Sequence, residues 1–223
     1  MTRQLVFDLP VKTSRDRGDF FVSDANAMAV ARLEDTAGWT RGKLALVGPE
    51  GAGKSHLAHV WAEAEGGRVL DMAALTGLDV TGVATPLAIE VADTAALPPE
   101  VEEALFHLHN HLASTGLPLL LVARRAPARW AVALPDLKSR LEAAEVVHID
   151  EPDDALLSAV LVKLFADRQV EVSPNLIAWL VARIDRSFAA AQRAVARLDA
   201  AALAEKRPVT RDLARRALDN PPE

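Results

Sequence analysis

Lys43-Leu44-Ala45-Leu46-Val47-Gly48-Pro49-Glu50-Gly51-Ala52-Gly53-Lys54-Ser55 is the stretch on which the reading of this chain turns. The apolar run ending at Val47 suits a buried strand, and the residues from Lys54 to about Ala64 read as a helix. Residues 48–55 between them fit G-x-x-x-x-G-K-[ST]. A loop of this kind, set between strand and helix, turns backbone N–H groups inward around phosphate oxygens. Gly51 and Gly53 supply the freedom to turn, and the helix N-terminus adds its positive end. In such a loop Lys54 reaches the β- and γ-phosphates and Ser55 holds magnesium. The spacing therefore predicts a nucleoside-phosphate binder.

Working outward, strand and helix patterns alternate. Arg68–Met72, Pro86–Val91, Leu117–Ala123 and Glu145–Ile149 read as further strands, and Pro99–Ser114 carries Val101, Leu105, Leu108 and Leu112 at helical spacing. Alternation of this kind means parallel pairing through right-handed crossovers, hence a three-layer α/β sandwich on a five-stranded parallel sheet. After Pro152 the strand patterns stop. Asp153–Asp167, Pro174–Ile184, Phe188–Glu205 and Thr210–Leu218 read as helices, with Ser173-Pro174 and Thr210 as start signals. The expected organisation is a tail over residues 1–12, a nucleotide-binding core over 13–151 and a small all-α lid over 152–223.

The 223 residues suffice for one α/β domain and an appendage. A net charge of −6 speaks against a dedicated nucleic-acid binder. Cysteine is absent, which removes disulfides, thiol catalysis and Cys-ligated zinc. No apolar run approaches a membrane span, and the N-terminus lacks a signal-peptide core, so a cytoplasmic chain without membrane contact is expected.

Glu90, closing its strand, is the natural carboxylate to orient magnesium, whereas the next residue is Val91 rather than a second acid; Asp93 follows two residues on. Of His107, His109 and His111, the first and last fall i, i+4 on a helix, but with no H-E-x-x-H pattern and no obvious third ligand the three read as a polar helix face. His56 and His59 read as packing residues, and the four tryptophans as core or rim. Arg124, Arg125 and Arg129 with Trp130 form a small basic group suited to a partner or nucleotide-proximal role more than to DNA. In the tail, Gln4-Leu5-Val6-Phe7-Asp8-Leu9 has its apolar anchors on alternate positions; such a peptide can seat Gln4 at a pocket rim and bury Leu5, Phe7 and Leu9 in a groove.

Gly48 through His59 resembles the Walker A segment of the DnaA/Hda family of AAA+ proteins, including its His-Leu continuation at His56-Leu57. Asp19-Phe20-Phe21-Val22 with Asn26 is similar to the family's stretch near the adenine pocket. Leu134-Pro135-Asp136-Leu137-Lys138-Ser139-Arg140-Leu141 resembles its box VII, and Ile184-Asp185-Arg186-Ser187-Phe188 its sensor 2 motif. The resemblance covers about residues 18–219. It implies ADP or ATP with Mg2+ held by Phe21, Val22, Gly51, Ala52, Gly53, Lys54, Ser55, His56 and Arg186, with Ser55 and Glu90 on the metal. It further implies that Arg140 is an arginine finger acting in trans. The chain ends at Glu223, before any basic helix-turn-helix domain, so contact with DNA is expected only indirectly.

Within the family the short Hda-like regulators share this architecture, and their clamp-binding peptide resembles Gln4 to Leu9 with Phe7 in place of a leucine. The resemblance thus implies a regulator of replication initiation that docks on the DNA polymerase sliding clamp (its β subunit) and promotes hydrolysis of ATP bound to DnaA, with a homodimer left open. Two departures, Val91 and Ala123 at the sensor 1 position, point to weak hydrolysis by the chain itself. The alternatives are an autonomous AAA+ ATPase such as a helicase loader, and a DNA-binding replication accessory protein.

Overall fold

Residues 21–91 and 96–219 are described by a computed structural model. The strands are β1 (Lys43–Val47), β2 (Arg68–Asp71), β3 (Leu87–Glu90), β4 (Leu119–Ala123) and β5 (Glu145–His148). Around them lie α1 (Ala27–Glu34), α2 (Lys54–Glu65), α3 (Pro99–Thr115) and α4 (Pro135–Glu142). The sheet order is β2-β3-β4-β1-β5 and every pairing is parallel. All ten side chains of β1 and β4 are buried, Lys43 included, because central strands have both faces covered. The edge strands β2 and β5 are only partly covered.

Side-chain alternation divides the sheet's apolar residues between two layers. Leu44, Leu46, Leu120 and Val122 pack with α1 and α2, where Trp61 stacks on Trp39 at 5.2 Å between ring centroids. Ala45, Val47, Leu119 and Leu121 face the other way, against Leu105, Leu108 and Leu112 of α3 and Leu137 and Leu141 of α4. This is the expected three-layer sandwich.

The remaining helices are α5 (Asp154–Ala166), α6 (Pro174–Val181), α7 (Phe188–Glu205) and α8 (Arg211–Asp219). They share a separate core built on Leu157, Leu161, Phe165, Leu180 and Val195. All four start on side-chain caps: Asp153 accepts from the Leu156 N–H at 2.7 Å, Ser173 from Leu176 at 3.3 Å, Ser187 from Ala190 at 3.1 Å and Thr210 from Leu213 at 3.3 Å. Such caps satisfy donors that a helix start leaves unpaired.

Two helices escaped the periodic reading. Both α1 and α4 have eight residues, barely two turns, so each offers too few apolar repeats to register. In addition β4 starts at Leu119 instead of Leu117, and α6 ends at Val181, ahead of Ile184.

Candidate nucleotide site

The strand order reverses between β4 and β1, and in open α/β sheets the crevice beyond the carboxyl ends of strands at such a point is where ligands bind. A cavity of about 870 Å³ occupies that place. Its floor is the phosphate loop, where Gly51 and Gly53 adopt φ of 75° and 90°, a left-handed backbone that side-chain-bearing residues seldom take. Gly53 has a second constraint: a Cβ there would stand 2.5 Å from Cε2 of Phe188. The first turn of α7 thus lies directly on the loop, and the Phe188 N–H donates to the Gly51 carbonyl at 2.9 Å.

Lys54 is nearly buried and donates its ammonium to the carbonyls of Gly48 at 2.8 Å and Pro49 at 2.6 Å. Burial lowers its pKa from the usual lysine value, and nearby Glu90 opposes that shift. Glu90 stands at the end of β3, and its Oε1 is buried without a hydrogen-bond partner among the described residues. An unsatisfied buried carboxylate oxygen on a residue that lines the same cavity as Ser55 suits a hard cation such as Mg2+. Among the described residues no group of three His, Cys, Asp or Glu could hold a metal alone, so such a cation would complete its shell with phosphate oxygens and water.

Phe21, Gly51, Gly53, Lys54, Ser55, His56 and Glu90 all line this cavity. Phe21 is pinned by Asn26, which is 1% exposed, donates from Nδ2 to the Phe21 carbonyl at 3.0 Å and accepts the Ser23 N–H at 2.9 Å. Ala52 contributes loop backbone while its methyl joins the core beside Leu57. Three placements differ from the sequence reading. Val22 is 45% exposed and does not line the cavity. Arg186 does not reach it either: its guanidinium pairs with Asp154 of α5 at 2.7 Å, and α7 presents Ala189 and Gln192 in its place. His56 and His59 are exposed rather than packed; His56 forms cavity wall, and His59 Nδ1 lies 2.8 Å from the Ser55 carbonyl.

The structure adds residues that sequence reading left out. Asp71, Lys163 and Asp167 line the cavity; so does Arg124, from the basic group already read as suited to a partner or nucleotide-proximal role, and it pairs with Glu50. No local motif marks Asp71, Lys163 and Asp167, because they come from two separate segments, the end of β2 and the last turn and C-cap of α5. Val91, Val122 and Ala123 complete the wall where a hydrolytic site would need polar groups to orient water. Asp93 lies outside the described residues, as do Gln4, Leu5, Phe7 and Leu9.

Arg140 sits elsewhere. It projects from α4 over the Phe106 ring, 5.1 Å from the centroid, and lines a different cavity. The start of α4 is held by Glu102, which is 4% exposed and accepts the N–H groups of Ala133 and Leu134 at 2.8 Å each. The three histidines of α3 also part company. His107 is exposed, His111 contacts the Val83 carbonyl at 2.8 Å, and His109 is buried, so they do not form one polar face.

The chain superimposes on domain III of the Thermotoga maritima replication initiation protein DnaA with a TM-score of 0.75, at 18% identity over 90% of this chain and 93% of that one. AMPPCP-bound DnaA from Aquifex aeolicus gives a TM-score of 0.64 at 16% identity, covering 79% and 62%. A RuvB variant from Thermotoga maritima gives 0.69 at 18% identity, covering 89% and 70%. The chain therefore has the DnaA-like AAA+ fold, shared with RuvB. No family model matches it. An uncharacterized protein of Haemophilus influenzae is 32% identical over 112 residues, half of this chain; the matched part spans about half, 48%, of that protein. Among the described residues no helix is long and apolar enough to cross a membrane.

Proposed function

We propose that this protein binds an adenine nucleotide as a structural element and acts as an Hda-like regulator of replication initiation, promoting hydrolysis of ATP held by DnaA. What carries the reading is the composition of the 870 Å³ cavity. It has a complete phosphate loop with Lys54 and a waiting carboxylate oxygen on Glu90, yet Val91, Ala123 and Ala189 stand where turnover would need polar groups. On binding, Lys54 exchanges the Gly48 and Pro49 carbonyls for phosphate oxygens, and Ser55 and Glu90 take Mg2+. The contact of Phe188 with the loop then links nucleotide to lid angle. Nucleotide-bound DnaA among the similar folds supports the adenine assignment.

In this reading Gln4, Leu5, Phe7 and Leu9 dock on the DNA sliding clamp. Arg140 approaches the nucleotide of ATP-bound DnaA, where a guanidinium against developing phosphate charge contributes ~10³–10⁵ in rate in other systems. The test is hydrolysis of labelled ATP preloaded on DnaA, with clamp on DNA, comparing the wild-type protein with Arg140→Ala. Stimulation that disappears in the variant is the expected result. Absence of stimulation, with clamp and nucleotide binding both demonstrated, overturns the DnaA assignment. The likeness to RuvB favours a second reading, an ATPase that uses its own turnover. Intrinsic hydrolysis abolished by Lys54→Ala would select it.

A further inference from the structure

A second cavity, about 400 Å³, opens at the other end of the sheet, where β1 and β4 begin and where α3 and α4 finish. Five residues at about 3.3 Å each put it roughly 15 Å from the phosphate loop along β1. Arg41, Lys43, His109 and Arg140 line it, with Leu112 and Leu117 as apolar wall. No carboxylate lines it, and no Asp or Glu pairs with Arg41, Lys43 or Arg140 among the described residues. Lys43 is 8% exposed and His109 is 2% exposed. Asn110 lies beside the imidazole without completing a hydrogen bond, so both ring nitrogens are buried and unpartnered.

Like charges gathered in a partly dry space are costly unless something answers them. Burial, then Arg140 and Arg41, holds the Lys43 ammonium below the usual lysine range. Burial, then Lys43 and Arg140, pushes His109 down to about 4. The carboxyl ends of α3 and α4 offset part of the charge. At roughly half a negative charge per helix they leave about two of the three permanent positive charges unanswered.

We propose that this cavity is a second anion site, built for a phosphate-bearing small molecule. A phosphate dianion matches the uncompensated charge, which a single carboxylate would not. Two guanidinium forks and an ammonium are the donors that phosphate oxygens favour, and neutral His109 can add one N–H. The volume falls in the range of small-molecule pockets, and Leu112 and Leu117 give an organic body somewhere to lie. The inference needs neither the nucleotide nor the partner assigned above.

Pyrophosphate and glycerol phosphate are the probes, titrated into Lys54→Ala protein so that the phosphate loop contributes least, with the His109 ring proton signals followed by NMR. The expected result is a saturable shift of those signals, weakened at least 10-fold by Arg41→Asn and by Lys43→Met. Tighter response to glycerol phosphate would identify an organic ligand, and tighter response to pyrophosphate a free phosphoanion; either supports the site. No saturable shift with either probe, or a shift that both variants leave untouched, overturns it. Asn tolerates the positive φ of 53° at exposed Arg41, so that variant keeps the test alive should Lys43→Met not fold. Neither Arg41 nor Lys43 has a part in the proposed stimulation of DnaA, so the two experiments fail independently.

Discussion

The two cavities lie at opposite ends of the same strands and assemble positive potential in different ways. At the carboxyl end the phosphate loop uses main-chain geometry: left-handed Gly51 and Gly53, the start of α2, and one lysine parked on the carbonyls of Gly48 and Pro49. Glu90 is close enough to temper that lysine. At the amino end Arg41, Lys43 and Arg140 converge as side chains, with no carboxylate on the cavity wall. A site made from backbone can wait empty at little cost, since its donors and cation find local partners. One made from converging cations stays strained until an anion arrives. The contrast teaches that one sheet can carry a site whose cation is satisfied locally, with only the Glu90 Oε1 left unpartnered, and another whose cations have no carboxylate on the wall to answer them.

Removing the cation at the carboxyl end should have the largest effect. Lys54→Ala is expected to weaken ADP binding about 100-fold, ~3 kcal/mol, because a buried charge-assisted contact to phosphate is lost. Calorimetry with ADP measures it, and an unchanged affinity would mean that Lys54 stays on its carbonyls when nucleotide binds. Within the core, Glu102→Ala at the start of α3 should lower stability by about 2–3 kcal/mol, since two part-buried N–H groups lose their acceptor. Urea unfolding reads the loss. The companion variant Glu102→Gln, which keeps one acceptor oxygen, should recover part of it.

Gly53→Ala tests whether the phosphate loop depends on its contact with the lid. Left-handed φ and the approach of Phe188 together predict a loss of about 2 kcal/mol. If Phe188→Ala fails to restore any of that loss in the double variant, the close approach is not the cause. The smallest effect concerns pH. His109 is depressed to about 4 when folded, so the unfolded chain binds the extra proton between about pH 6.5 and 4. Stability then rises with pH across that window and is lost as pH falls through it. Between pH 7 and 5.5 the loss should be about 1 kcal/mol, and it should vanish in His109→Phe; denaturant midpoints at the two pH values decide it.

The carboxyl-end site could be read from the chain because its parts are contiguous. Gly51, Gly53, Lys54 and Ser55 sit within five residues, and Glu90 closes a strand whose apolar pattern is plain. Arg186 shows the limit of such reading. It stands beside the lid helix in sequence, but α7 begins at Phe188 with Ser187 as its cap, and that phase aims Ala189 and Gln192 at the cavity while Arg186 meets Asp154. The amino-end cavity gave no signal at all. Lys43 reads only as the first residue of a buried strand and His109 as one of three histidines on a polar helix face, and only packing of α3 against the sheet separates His109 from its neighbours.

By itself the sequence determined the alternation of strands and helices, the parallel sheet with its lid and the place of the phosphate loop, because these follow from periodicity and from local spacing. The tertiary structure alone decided which side chains of α7 face the carboxyl-end cavity, how Glu102 fixes the helix bearing Arg140, and that Arg41, Lys43, His109 and Arg140 share one space. Those outcomes depend on rotation and packing of whole elements, and rotating a helix by a single residue, about 100°, exchanges a side chain that faces a site for one that faces water.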